Sequence, residues 1–166
     1  MKKAIVIEHV SIETENSFDS FTFNLENALG IMTPSTLQAL GASPASMVSY
    51  LNNTSDENKL ILFNILVQDD LAKNDNRRKI KQYQIGNPRI MLRMIENHAG
   101  AGLYIPMRLL VYEKYNGKTA VEYDLPSSSF AQFYNSKIFS YSITLENMLV
   151  KLIQVAEEGN RELSSQ

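Results

Sequence analysis

Residues 103–125 read LYIPMRLLVYEKYNGKTAVEYDL, two apolar-alternating runs around Asn116-Gly117. Asn-Gly between such runs is the strongest short-range signal for a β-hairpin. Two registers are available. A two-residue loop at Asn116-Gly117 pairs Leu110 with Tyr123 and Val111 with Glu122. A three-residue loop, Tyr115-Asn116-Gly117 with Gly117 left-handed in a bulge, pairs Val111 with Val121 and Leu109 with Tyr123. The second gathers Met107, Leu109, Val111, Val121 and Tyr123 on one face. A slip of one residue turns every side chain to the other face, so the bulged loop is preferred.

On either side the pattern alternates between strand and helix. Residues 3–14 read as a strand, with Ala4, Val6, Val10 and Ile12 apolar and His9, Ser11 and Glu13 polar. His9 reads as a surface strand histidine. Ser17 caps a helix with Phe18, Phe21, Leu25, Ala28 and Leu29 at helical spacing, stopped by Gly30. Thr33-Pro34 and Ser43-Pro44 mark two short helices within 31–58. Lys59 to Val67 is nearly continuously apolar and reads as a central strand covered on both faces. Ile80, Tyr83 and Ile85 form a further strand, and Asn87-Pro88 starts a helix that stops near Ala99–Gly102. Pro126 and three serines start a short helical segment through Phe133. Thr144 is the expected cap of a final helix to about Glu158, and 161–166 form a frayed tail. The whole is expected to be one α+β domain over 1–160.

The ordered blocks Ile85-Gly86-Asn87-Pro88, Gly102 to Glu113, Asn116 to Thr119 and Val121 to Pro126 resemble the bacterial domain-of-unknown-function family 302. The resemblance covers roughly 60–134. It implies an antiparallel sheet of about five strands with helices packed on one face, similar to the TATA-box-binding-protein-like fold, often in a homodimer. It implies no catalytic activity. Residues 31–58 exceed the family's usual link and read as a helical insertion. Asp69-Asp70 stands where many members carry a histidine.

Composition narrows the chemistry. The 166 residues contain no cysteine, which excludes disulfides, thiolate zinc sites, iron–sulfur clusters and cysteine nucleophiles. No cofactor motif occurs, and the paired acids Asp69-Asp70 and Glu157-Glu158 lack metal-ligand spacing. The apolar run after Lys2-Lys3 is too short for a secretory leader, and no stretch is long enough to span a membrane. A cytoplasmic protein is expected.

The net charge of −2 conceals a contrast. Residues 73–93 carry +6 and the remainder −8. This basic stretch surrounds the helix start at Pro88, where free N–H groups and the helix dipole attract anions. Gly86, Asn87, Arg89, Arg93, Lys79 and Lys81 are therefore the candidate binding residues for an anionic small molecule. Arg89 and Arg93 share a helix face, and Lys79 and Lys81 share a strand face. Nucleic acid is disfavoured by the acidic remainder, although Tyr83 offers a stacking ring.

The leading function is a non-catalytic binding or interaction module. The alternative is an enzyme with Glu122 and Asp124, which share a strand face, as an acid/base pair in a sheet-lined cleft, or with His98 taking part. Tyr104, Tyr112, Arg108 and Leu110 on the hairpin's second face point to a homodimer interface.

Overall fold

A computed structural model describes residues 2–31, 59–68 and 78–159. The expected helices within 31–58, Asp69-Asp70 and the frayed tail lie outside the described residues, Ile31 apart.

The elements run β1 (His9–Thr14), α1 (Phe18–Ala28), β2 (Gly30–Ile31), β3 (Ile61–Val67), β4 (Ile80–Gly86), α2 (Pro88–Asn97), a 3₁₀ turn (Ala99–Leu103), β5 (Met107–Glu113), β6 (Thr119–Asp124), α3 (Pro126–Phe130) and α4 (Ser136–Glu158). The sheet order is β1-β6-β5-β4-β3-β2. Every neighbouring pair is antiparallel except β2 with β3. This is the expected α+β architecture, with a short sixth strand added.

The β5–β6 hairpin has the bulged register. Val111 lies opposite Val121 and Leu109 opposite Tyr123. Gly117 takes φ +81°, open to glycine at no steric cost. The Lys114 and Lys118 backbones close the loop, the Lys114 N–H donating to the Lys118 carbonyl at 2.7 Å. One row of inward side chains crosses the sheet as Val10, Tyr123, Leu109, Tyr83 and Ile65. Phe21 and Leu25 of α1, Met94 of α2, Phe130 of α3, and Ile138, Leu145 and Leu149 of α4 complete the core with this inner face.

Three local expectations are corrected. The first strand spans only His9–Thr14; the preceding residues run beside α3, where Glu8 N–H donates to the Ser128 hydroxyl at 3.0 Å. β3 is not covered on both faces. Its neighbour β2 is only two residues long, and Leu66 and Val67 remain 45% and 49% exposed. The final helix begins eight residues before Thr144. Tyr134 turns left-handed at φ 50°, and the Asn135 side chain accepts from the Lys137 and Ile138 amides, so the helix starts there. Among the described residues no helix is long and apolar enough to cross a membrane.

Candidate functional site

In an antiparallel ladder, directly opposed residues project from the same face. β1 against β6 therefore sets His9 beside Asp124 and Ser11 beside Glu122 on the outer face. The His9 ring lies between two carboxylates, Nδ1 2.9 Å from Asp124 Oδ1 and Nε2 3.3 Å from Glu122 Oε2. The Ser11 hydroxyl donates to Glu122 Oε1 at 3.2 Å and the Tyr112 hydroxyl to the same oxygen at 2.7 Å.

The electrostatics follow from these contacts. The hydrogen bond to Asp124 raises the His9 pKa above its ordinary 6.5, burial opposes this, and Glu122 adds to the rise. Tyr112 holds the Glu122 carboxyl below its usual 4.5 against an opposing desolvation, with help from His9 and Ser11. The bond to Glu122 in turn raises Tyr112. Both carboxylates thus favour the imidazolium form of His9. A general base needs a free nitrogen lone pair, and neither ring nitrogen is free here.

This has a consequence for stability against pH. The raised His9 contributes stability that is full below about 6.5 and lost as pH rises through its folded value. The depressed Glu122 contributes stability that is full above about 4.5 and lost as pH falls through its folded value. The midpoint difference between the parent protein and His9→Gln is expected to be largest between these limits and to shrink at alkaline pH. A difference independent of pH in thermal melts excludes the charged bridge.

Beside this cluster a cavity of ≈ 430 Å³ opens at the ends of β5 and β6. Ile7, Leu103, Tyr104, Ile105, Pro106 and Phe130 form its apolar wall, and Gln84, Arg108, Asp124 and Ser129 its polar groups. Tyr104 is held edge-on to Phe130, with ring centroids 5.9 Å apart. It therefore belongs to the cavity wall and not to the second face of β5, where the sequence pattern placed it. Among the described residues Arg108 forms no hydrogen bond or ion pair with another side chain, whereas Lys114 and Lys118 are both held by Glu13.

The other candidates lie apart. The His98 ring accepts from the Gly100 amide at 3.0 Å and packs on Phe133, so it does not join Glu122 and Asp124. At Gly86 a Cβ would stand 2.6 Å from the Met91 sulfur, so the Met91 side chain would have to shift to admit one. The buried Asn87 accepts from the Ile90 amide and donates to the Lys59 carbonyl. Its side chain thus caps one amide, that of Ile90, at the helix start expected to receive an anion. Lys79 pairs with Asp19 and Lys81 with Glu26, both on α1. Lys81 is six residues before Asn87, roughly 20 Å of extended chain. Lys79 and Lys81 thus reach towards α1, while Asn87 sits at the start of α2. Arg93 pairs with Glu96 and, with Lys137, lines a separate groove between α2 and α4. Tyr83 is fully buried and presents no ring for stacking. Among the described residues no three acids or histidines are placed to hold a metal ion.

The signals for the cluster were present in the sequence. His9 and Ser11 fall on the polar side of one strand, Glu122 and Asp124 on one face of another. Only the pairing of these strands was missing, and with it the meaning of His9.

The fold is similar to the crystal structure of the uncharacterized conserved protein DUF302 from Bacillus stearothermophilus. The TM-score is 0.63 at 13% identity, covering 89% of this chain and 97% of that one. Among curated proteins no sequence matches. The family model for the domain of unknown function DUF302 matches residues 38–156, a stretch that takes in most of the segment read as an insertion. The match spans the greater part of the chain, and the protein belongs to the DUF302 family.

Proposed function

We propose that this protein is a non-catalytic binding module that takes a small anionic molecule into the cavity beside Arg108. The carrying observation is a guanidinium that, among the described residues, has no side-chain partner and lines an apolar-walled cavity. Ligand sites commonly combine such a wall with a few convergent polar groups, and ≈ 430 Å³ falls in their usual size range. The enzyme reading draws on Glu122 and Asp124, but both are tied to His9, which suits charge placement better than proton transfer. A homodimer through the outer face is the proposed assembly. Leu66 and Leu110, on one row of that face, support it. Light scattering is expected to give twice 18.8 kDa, and a mass of 18.8 kDa removes the dimer.

Calorimetric titration with hexanoate, 3-phenylpropionate and inorganic phosphate tests the binding reading. A charge-assisted hydrogen bond is worth about 1.5–3 kcal/mol, so Arg108→Ala should weaken binding by roughly 10- to 100-fold. Arg89→Ala with Arg93→Ala should leave it unchanged. Loss in the double variant alone moves the anion to the start of α2. No binding by the parent protein across the panel overturns the reading.

A further inference from the structure

We infer that the cavity selects a small α-amino acid with an apolar side chain, its carboxylate on Arg108 and its ammonium on Asp124. This rests on the anion-binding reading above and names the ligand class. The ladder pairs Leu109 with Tyr123. Arg108 and Asp124 lie just beyond that pair on the two adjacent strands, and strand alternation turns both to the outer face, Arg108 opposite Gln84 and Asp124 opposite His9. Both side chains line the same cavity, yet they form no ion pair with each other. Two unlike charges, side by side and not neutralising one another, match a ligand whose own unlike charges are joined through one carbon.

The remaining capacity of each group fits. Arg108 offers a planar fork of donors suited to a carboxylate. Asp124 Oδ1 is engaged by His9 at 2.9 Å. A carboxylate has about four acceptor positions, so Oδ2 can still take an ammonium N–H. His9 is also held by Glu122, so its charge is not spent on Asp124 alone. The wall of Ile7, Tyr104, Ile105 and Phe130 then takes the ligand's side chain, where a charged one would lose its hydration without a partner.

The test uses the unmodified protein and a matched series: L-leucine, 4-methylpentanoate, which lacks the amine, and 3-methylbutylamine, which lacks the carboxylate. Amide chemical-shift titration is expected to show leucine binding at least about 10-fold more tightly than either, one charged contact being worth about that factor. Asp124→Asn should bring leucine down to the level of 4-methylpentanoate, and Arg108→Ala should weaken both. If 4-methylpentanoate binds as tightly as leucine, the amino-acid inference fails while the anion reading stands. If the amine binds and the carboxylate does not, the anion reading fails as well. No binding by any member overturns both.

Discussion

Leu109→Ala is expected to destabilise the protein by about 2–5 kcal/mol, the range for removing a fully buried leucine. Leu109 is completely buried on β5, between Tyr83 of β4 and Tyr123 of β6. Strands on both sides fix the backbone, and α1 closes the inner face over β5. The site therefore has little freedom to collapse, and the loss combines removed apolar contact with an unfilled cavity. For a domain of this size each kcal/mol moves the thermal midpoint by about 2–4 °C. Val6→Ala is the matched control. It also trims an apolar side chain, but Val6 is 85% exposed, so its effect should stay within about 0.5 kcal/mol. Equal midpoints for the two variants would contradict the assignment of the inner face as the core.

Glu26→Ala is expected to follow, at about 1–3 kcal/mol, through an unmet hydrogen bond. Glu26 projects from α1 towards β4. Its Oε1 accepts from the Tyr83 hydroxyl at 2.8 Å and from Lys81 Nζ at 2.9 Å. Burial, followed by the bond to Glu26, pushes Tyr83 far above the ordinary tyrosine range. The phenol therefore stays neutral and acts as a donor. Without Glu26 that donor remains buried without its acceptor carboxylate, and Lys81 loses its countercharge in a half-buried place. Tyr83→Phe removes the donor itself and should cost only about 1 kcal/mol. In the Tyr83→Phe background the additional effect of Glu26→Ala should then shrink, since contacting residues couple by about 0.5–3 kcal/mol. Urea unfolding of the four proteins reads this. An effect of Glu26→Ala that is identical in both backgrounds assigns the loss to Lys81 or to helix α1 alone.

The ion pair of Lys81 with Glu26 also bears on the basic stretch read as an anion site. Counting charges along residues 73–93 treats Lys79 and Lys81 as available. Their partners, Asp19 and Glu26, lie about sixty residues earlier on α1. Arg108, outside that stretch, lines the cavity beside the His9 cluster. Composition counts charge, but availability depends on which opposite charge the fold brings near.

Several features needed no long-range information. The alternation of Met107, Leu109, Val111, Val121 and Tyr123, with a left-handed glycine at 117, leaves one hairpin register that keeps the apolar set together. Ser17 and Asn87 cap their helices through bonds spanning three residues. These are local interactions, and a local pattern suffices for them. The position of β1 is different. Its polar side could face any neighbour, and pairing with β6 joins His9 to Asp124 and Glu122 across 115 and 113 positions. The cavity likewise needs the chain before β1, the start of β5 and helix α3 in one place. Periodicity tells a side chain which face it takes. Which strand lies beside it depends on the burial of the entire inner face, and that choice made a surface histidine part of a charged cluster.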